Sequence, residues 1–447
     1  MQFRKRNRIS PAQTVIFGFL ALIVCGALIL ALPLSSRSGQ ATPFFDALFT
    51  ATSATCVTGL VVYDTYTHWS WFGQGVILVL IQAGGMGVVT MAIAASLFTH
   101  RRIGLRQRFV MQESISAPQV GGIVRLTGFI LKTTVCWEAA GVLVLAVRFC
   151  PTMGWEGVWY AVFHSISAFC NAGFDLMGAE EPFSSLTAYV NDPIVNVTVM
   201  LLVVVGGLGF SVWSDFQKNR LRFRAYRLQS NIVLTTTAIL LVLPALYLLV
   251  CEFGRPQWDG LSWEARIGAA VFQSVTTRTA GFNTVELVVL QQPSLLVMIA
   301  LMLIGGSPGS TAGGFKTTAL ATVYLAIRAA FEKTDNAQAF GRRLPAETLR
   351  NAVTIIALYL TSFLAGAVFI NFVDGVPLSA ALFECASAVG TVGLSLGVTP
   401  ALSRLSQTVL MLLMYLGRVG GLTMIYALAN GHVPAPSQPP QEKITIG

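Results

Sequence analysis

Thr391-Val392-Gly393-Leu394 belongs to the last of four similar segments, and these segments decide the fold of the chain. Each is a short run of apolar, small and hydroxyl-bearing residues around one glycine. The four are Thr55-Cys56-Val57-Thr58-Gly59-Leu60, Phe169-Cys170-Asn171-Ala172-Gly173-Phe174, Thr277-Arg278-Thr279-Ala280-Gly281-Phe282 and Val389-Gly390-Thr391-Val392-Gly393-Leu394. Their glycines are 114, 108 and 112 residues apart, counted from 59 to 173, from 173 to 281 and from 281 to 393. A fixed period in an apolar chain indicates one structural unit used four times, and four glycine loops can surround one axis.

The composition is that of a membrane protein. Of the 447 residues, 54% are hydrophobic and 11% are charged, and the mean hydropathy is +0.68. Soluble domains carry about 25% charged residues, so much of this surface must face lipid. Apolar stretches of about 20 residues are long enough to cross a bilayer. Such stretches run over 15–34, 75–98, 194–213, 232–251, 295–327, 352–372 and 409–428.

The charged residues alternate along the chain between basic and acidic groups. The basic clusters are Arg4, Lys5, Arg6 and Arg8; Arg101, Arg102, Arg106 and Arg108; Lys218, Arg220, Arg222, Arg224 and Arg227; and Arg328, Lys333, Arg342, Arg343 and Arg350. Acidic residues such as Asp64, Asp175 and Glu181 lie between them. Short basic loops stay cytoplasmic, which predicts that both termini are cytoplasmic. This topology accounts for the net charge of +9 better than nucleic-acid binding does, and we expect no nucleic-acid partner.

We interpret each basic cluster as the end of one unit. The predicted units are 1–110, 111–228, 229–345 and 346–430, followed by a short cytoplasmic tail at 431–447. In each unit a long helix leads out, a short helix ends at the glycine, and a second long helix returns. The four units are then parallel, unlike the inverted repeats of many secondary transporters. The predicted fold is an all-α integral membrane protein with eight transmembrane helices around one central pore.

The short helices are expected at 42–52, 155–168, 262–276 and 378–388. They are too short to span a membrane, which favours re-entrant helices. Thr42-Pro43, Ser262 and Pro377 are typical helix starts. A helix that stops in the membrane leaves carbonyl groups that must be buried in protein or line a wet cavity.

Four loops with exposed carbonyl groups can replace the water shell of a monovalent cation. The expected backbone ligands are Val57, Thr58, Gly59, Leu60, Asn171, Ala172, Gly173, Phe174, Thr279, Ala280, Gly281, Phe282, Thr391, Val392, Gly393 and Leu394. The chemistry that this predicts is cation coordination, without bond making.

Glycine motifs also mark the returning helices. Gly84-Gly85-Met86-Gly87 and Gly206-Gly207-Leu208-Gly209 indicate close helix packing by small residues. The third copy cannot continue as an α-helix, because it combines several glycines with a proline. Its residues are Gly305, Gly306, Ser307, Pro308, Gly309, Ser310, Thr311, Ala312, Gly313 and Gly314, hereafter the Gly-rich loop. We expect this loop to be a gate and only the third returning helix to be interrupted.

Three basic residues fall in or near apolar segments. A charge within the membrane normally faces a cavity and has a partner or a function. Arg418 is expected to line the pore, and Lys316 to lie nearer the cytoplasm; both are candidate gate residues. Arg278 follows the third short helix, where its charge would repel a bound cation. We therefore expect it to point behind the loop towards a carboxylate such as Glu286 or Glu384.

Thr391-Val392-Gly393 matches the start of the potassium-channel signature T-V-G-Y-G. With four single-glycine segments in one chain, the sequence resembles the superfamily of K+ transporters that includes Trk, Ktr and HKT proteins, over residues 14–430. The resemblance implies that Gly59, Gly173, Gly281 and Gly393 form a K+ filter, and that the Gly-rich loop with Arg418 is the gate. A serine at the first filter glycine goes with Na+ selectivity in this superfamily, so Gly59 favours K+.

The chain resembles the Ktr-type membrane subunit most, because it lacks the additional N-terminal helix pair of Trk-type proteins. Such subunits are bacterial plasma-membrane proteins that form homodimers, beneath which a ring of nucleotide-binding regulatory subunits docks. The tail is too short to be a regulatory domain, so the resemblance implies that nucleotide control comes from that cytosolic partner.

Other functions remain as alternatives at this point. A Na+-conducting protein or a Na+/K+ symporter of the same fold is the second hypothesis, and Na+ assistance of K+ uptake is open. A secondary transporter for a small solute predicts inverted repeats or carboxylates at the membrane midplane, and the sequence has neither. No Walker loop, Rossmann fingerprint or nucleophile elbow occurs. We therefore expect no enzyme activity, no organic cofactor and no metal other than K+ at the filter.

Overall fold

Helices dominate residues 10–87, 123–334 and 336–428, which are the residues that the computed structural model describes. The α-helices are α1 (Pro11–Leu30), α2 (Phe44–Cys56), α3 (Thr65–His68), α4 (Trp71–Met86), α5 (Ile123–Met153), α6 (Glu156–Phe169), α7 (Pro193–Leu208), α8 (Phe210–Asn219), α9 (Leu228–Tyr247), α10 (Trp263–Thr276), α11 (Gln292–Leu303), α12 (Thr317–Phe331), α13 (Ala346–Asp374), α14 (Leu378–Gly390), α15 (Arg404–Val419) and α16 (Gly421–Leu428). Strands β1 (Gln338–Ala339) and β2 (Arg342–Arg343) pair antiparallel. The basic clusters at 4–8 and 101–108, the predicted boundary at 110 and the tail at 431–447 lie outside the described residues.

Four long, apolar helices are mostly exposed on the outside of the protein. By length and composition α1, α5, α13 and α9 with its π-helical extension to Glu252 are able to cross a membrane. Between 28% and 33% of each crossing window is buried, so most of this apolar surface faces outward, as lipid contact requires. A capping box between Ser10 and Gln13, with Pro11 in the first turn, fixes the start of α1.

The four predicted short helices are α2, α6, α10 and α14, with 13 or 14 residues each. Pro43, Ser262 and Pro377 are the residues that precede three of them, as predicted. Ser262 accepts a hydrogen bond from the backbone nitrogen of Ala265, the usual N-cap contact. One buried phenylalanine anchors each short helix: Phe49, Phe163, Phe272 and Phe383.

The returning helices of the second and fourth units are interrupted as well as that of the third. Helices α4, α7 and α15 each end one residue before a glycine with positive φ: Gly87 at 87°, Gly209 at 88° and Gly420 at 91°. L-residues with side chains rarely adopt this conformation, so glycine makes the break possible. At Gly209 the chain bends by 92° into α8.

The expectation that only the third returning helix is broken is therefore wrong. In the described residues four helices qualify as membrane spans, or five if α7 and α8 count as one. The count of eight crossings stays a prediction.

Candidate functional site

The four glycines of the repeated segments meet and form a closed ring. A β-carbon built onto Gly59 would lie under 3.0 Å from the carbonyl oxygen of Ala172. The same relation continues around the ring in chain order, from Gly173 to the oxygen of Ala280, from Gly281 to that of Val392, and from Gly393 to that of Thr58. We call these four glycines and the four carbonyl groups the glycine ring. Any side chain at these glycines would collide with the backbone of the next copy.

The backbone has the same unusual conformation in all four copies. The ring glycines have φ values of +94°, +68°, +86° and +94° in chain order. The residue two positions earlier is also left-handed in every copy, with φ of 58° at Val57, 60° at Asn171, 62° at Thr279 and 51° at Thr391. Such strain in non-glycine residues costs about 1–3 kcal/mol each and clusters at functional sites. Its fourfold occurrence here points to a function of these loops.

Local hydrogen bonds explain how the loops hold this conformation. In three copies a backbone nitrogen of the loop donates to a carbonyl five residues earlier, from Thr58 to Ser53, from Ala172 to Ser167 and from Val392 to Ser387, each at 2.8 Å. This is the Schellman ending of a helix, which requires a left-handed residue. The hydroxyl groups of Ser53 and Ser387 also accept from the nitrogens of Gly59 and Gly393.

Several polar side-chain atoms around the ring are buried and have no hydrogen-bond partner in the described residues. They are the hydroxyl oxygens of Thr55, Thr58, Thr279 and Thr391 and the amide nitrogen of Asn171. Buried polar groups are normally paired with protein or ordered water. The four hydroxyl oxygens are therefore free to bind ordered water or a cation beside the ring carbonyl groups.

A cavity of about 500 Å³ opens on one side of the ring. All four ring glycines line it, together with four acidic residues: Asp64, Asp175, Glu181 and Glu286. A cleft lined by one sign of charge raises the local concentration of counter-ions, here cations.

The Gly-rich loop packs against the fourth glycine segment. A β-carbon at Gly313 would lie under 3.0 Å from the hydroxyl of Thr391, and one at Gly314 would be 3.4 Å from the carbonyl oxygen of Gly390. Beyond the loop is a second cavity of about 190 Å³, lined by loop residues and by both predicted basic residues, Lys316 and Arg418. The loop thus lies between this inner cavity and the loops of the ring.

Two positively charged side chains donate hydrogen bonds to carbonyl groups of the Gly-rich loop. Arg418 donates to the oxygens of Thr311, Gly84 and Gly85, which connects the fourth, third and first units. Lys316 Nζ donates to the oxygens of Ala312 and Gly313 at 2.7 and 3.3 Å. Among the described residues neither Arg418 nor Lys316 forms an ion pair with a carboxylate.

The glycines of the returning helices let these helices approach the short helices closely. β-Carbons at Gly84, Gly206 and Gly417 would lie under 3.0 Å from the carbonyl oxygens of Thr55, Phe169 and Val389. Each of these oxygens belongs to the residue four positions before a ring glycine. The predicted packing role is confirmed for the first two motifs and extends to the fourth unit.

The predicted carboxylate partner of Arg278 is wrong. Arg278 is buried and forms no ion pair in the part of the chain that the structure describes. It borders a cavity of about 10 Å³ beside Gly207 and Gly306. Glu384 instead accepts hydrogen bonds from Ser395, Leu396 and Thr399, and Glu286 lines the outer cavity.

An ion pair that the sequence does not predict joins the first and fourth units. Asp46, in the first turn of α2, is 1% exposed and pairs with Arg404 at the start of α15. Tyr63 Oη also donates to Asp46, at 3.1 Å. A carboxylate in the first turn of an apolar short helix is the signal that could have drawn attention to it, because such a position needs a partner.

Comparison with known proteins adds four findings. A family model described as TrkH, cation transport protein, matches residues 10–433. The chain is 37% identical over 455 residues to the potassium/sodium uptake protein NtpJ of Enterococcus hirae, covering 100% of this chain and 99% of the relative. It is 35% identical over 425 residues to the Ktr system potassium uptake protein B of Bacillus subtilis, covering 95% and 94%. The potassium transporter TrkH of Vibrio parahaemolyticus has the same fold, with a TM-score of 0.73 over 96% of this chain and 87% of that chain at 17% identity.

Proposed function

Because the chain belongs to the TrkH family of cation transport proteins, we propose that it is a multi-pass membrane protein subunit that takes up K+ through the glycine ring. The observation that carries this proposal is the closure of the ring, in which each glycine lies against the carbonyl of the next copy. Four carbonyl groups around one axis can replace the hydration shell of a monovalent cation. The relatives' names, which describe potassium uptake proteins, support the same ion.

In this proposal the ligands are the backbone oxygens of the four loops, and no bond is made or broken. The C-terminal ends of α2, α6, α10 and α14 point their partial negative charges at the ring and stabilise the cation. The acidic outer cavity collects cations before they enter. The Gly-rich loop closes the path below the ring, with Arg418 and Lys316 as its supports.

Uptake of Na+, alone or with K+, is the second candidate. The observation in its favour is the relative named as a potassium/sodium uptake protein, at 37% identity over the whole chain. The glycine at position 59 favours K+ as the preferred ion.

We also propose that four parallel units, with boundaries near 110, 228 and 345, build this pore. The protein then lies in a bacterial plasma membrane with both termini cytoplasmic and forms a homodimer. A cytosolic ring of nucleotide-binding regulatory subunits docks beneath it. The relatives named as components of a Ktr system support a multi-component transporter.

Growth of cells that lack their own K+ uptake systems tests the proposal. Cells that express this chain, alone or with a Ktr-type regulatory subunit, are expected to grow at low K+. Purified protein in liposomes is expected to take up K+ in preference to Na+. Failure to restore growth in both arms, with the protein present in the membrane, contradicts K+ uptake; equal or greater Na+ uptake favours the second candidate.

A further inference from the structure

One side-chain contact joins the second glycine segment directly to the Gly-rich loop. The hydroxyl oxygen of Thr311 lies 3.1 Å from the carbonyl oxygen of Phe169 and 3.0 Å from the amide oxygen of Asn171. The exposed fractions of Thr311 and Asn171 are 0% and 1%, so water does not compete for this contact. The contact spans 140 residues of sequence.

The contact is specific to the second unit. Asn171 is the left-handed residue two positions before Gly173, and the corresponding residues elsewhere are Val57, Thr279 and Thr391. None of those three has an amide group. Asparagine also tolerates the left-handed conformation better than most residues. It therefore combines the required backbone conformation with a side-chain amide that contacts Thr311.

The Thr311 hydroxyl and the Asn171 amide can be hydrogen-bonded to each other in two orientations of the amide. A threonine hydroxyl has one proton, so Thr311 can donate it fully to one of the two oxygens. The Asn171 nitrogen has no partner in the described residues. If the amide is turned by half a rotation, its nitrogen donates to Thr311 and Thr311 donates to Phe169. In either orientation the hydroxyl connects the end of helix α6 with the left-handed residue of the second segment.

Thr311 is also held through its backbone. Its nitrogen donates to the oxygen of Gly206 at 3.3 Å, and its carbonyl accepts from Arg418. Any displacement of the Gly-rich loop that breaks these bonds also withdraws the hydroxyl from Asn171. Thr311 therefore links the position of the Gly-rich loop to the second segment, which is otherwise held by its own local hydrogen bonds.

On the basis of the proposed function, we propose that Thr311 and Asn171 are positioning residues that make ion selectivity depend on the gate. With the loop in place, the Thr311 hydroxyl holds Asn171 and keeps the Ala172 carbonyl in the ring. When the loop moves away, the second segment relaxes and the preference for K+ over Na+ falls.

The test compares purified variants in liposomes with two separate readouts, the basal K+ flux and the competition of Na+ against K+ uptake. Thr311→Val keeps the shape and removes the hydroxyl, whereas Thr311→Ser keeps the hydroxyl. We expect Thr311→Val to lower the K+/Na+ preference roughly fivefold, the effect of one net hydrogen bond, and Thr311→Ser to stay near wild type. Thr322→Val is the matched control, because the Thr322 hydroxyl bonds to Thr318 within its own helix.

A double-mutant cycle with Asn171→Thr, the residue found in the third and fourth copies, separates a direct coupling from two independent effects. We expect the double variant to lose no more selectivity than Thr311→Val alone. Additive losses contradict the link. A variant without residues 306–314 provides a measurement that does not depend on the folding of Thr311→Val, and it is expected to combine higher flux with lower selectivity.

The outcomes separate this inference from the function on which it rests. A wild-type protein without K+ uptake contradicts the proposed function. A wild-type protein that takes up K+, with unchanged selectivity in Thr311→Val or in the shortened loop, contradicts the coupling and leaves the proposed function intact.

Discussion

The carbonyl oxygen of Thr58, in the first unit, lies against Gly393 in the fourth. This contact closes the glycine ring between distant ends of the sequence. A β-carbon on residue 393 would lie under 3.0 Å from the Thr58 oxygen and from the α-carbon of Gly59, which explains why this position is a glycine. The ring thus depends on the way in which the first and last units meet, and the ion pair of Asp46 with Arg404 joins the same two units.

Gly59→Ser is expected to lower the preference for K+ over Na+. The new β-carbon would lie under 3.0 Å from the Ala172 carbonyl oxygen. The backbone at position 59 also has a positive φ, which residues with a side chain rarely adopt. Forcing it there costs about 1–3 kcal/mol, so we expect at least roughly a fivefold loss of preference in a Na+ competition assay. Gly75→Ser is the control, since no atom lies within 4 Å of a β-carbon at Gly75. An unchanged ratio in Gly59→Ser would refute the role given to this glycine.

Removal of residues 306–314 is expected to raise the basal K+ flux, because it takes away the backbone between the ring and the inner cavity. Efflux from K+-loaded liposomes measures it. Arg418→Gln is expected to raise the flux less, because it weakens the support of Thr311, Gly84 and Gly85 but leaves the loop itself. A folded deletion variant with wild-type flux argues against the loop as a gate.

Arg404→Ala is expected to destabilise the protein, because it leaves the buried Asp46 carboxylate without its cation. A buried charged group without its partner costs about 1–3 kcal/mol or more. Thermal unfolding of detergent-solubilised protein is the measurement. The matched control is Arg328→Ala, which removes an exposed pair with Glu332 that contributes about 0.3–0.5 kcal/mol. Equal decreases in the unfolding temperature of the two variants would show that the Asp46–Arg404 pair stabilises the protein no more than an exposed pair does.

Gly206→Ala is expected to lower the unfolding temperature, because the added methyl group collides with the Phe169 carbonyl. Such overpacking costs about 1–3 kcal/mol. Gly268→Ala adds the same methyl group to helix α10, where no atom lies within 4 Å, and should stabilise by about 0.5–1 kcal/mol. The two substitutions should therefore differ in sign, and a stabilising Gly206→Ala would contradict the close packing inferred here.

The sequence predicts the elements around the ring well, because their signals are local. Pro43, Ser262 and Pro377 mark helix starts by their own chemistry, and the ring glycines recur at nearly constant spacing. The all-α membrane fold follows from composition and from the length of the apolar stretches.

The sequence does not predict the end of α4 before Gly87 or the breaks at Gly209 and Gly420. Apolar residues continue on both sides of each break, and glycine is common in membrane helices, so composition alone cannot distinguish packing from interruption. The lack of a carboxylate partner for Arg278 among the described residues and the partners of Thr311 are also not predictable from the sequence. Glu384 is satisfied by its own loop, and the bond from Thr311 to Asn171 depends on how two distant units pack.

The location of the transported ion tests the central claim most directly. Crystals of the protein grown with Tl+, a K+ analogue with strong anomalous scattering, would show where the ion binds. We expect an anomalous peak on the axis of the glycine ring, among the carbonyl oxygens of Thr58, Ala172, Ala280 and Val392. A transport-competent protein whose Tl+ peaks all lie away from this ring would contradict it.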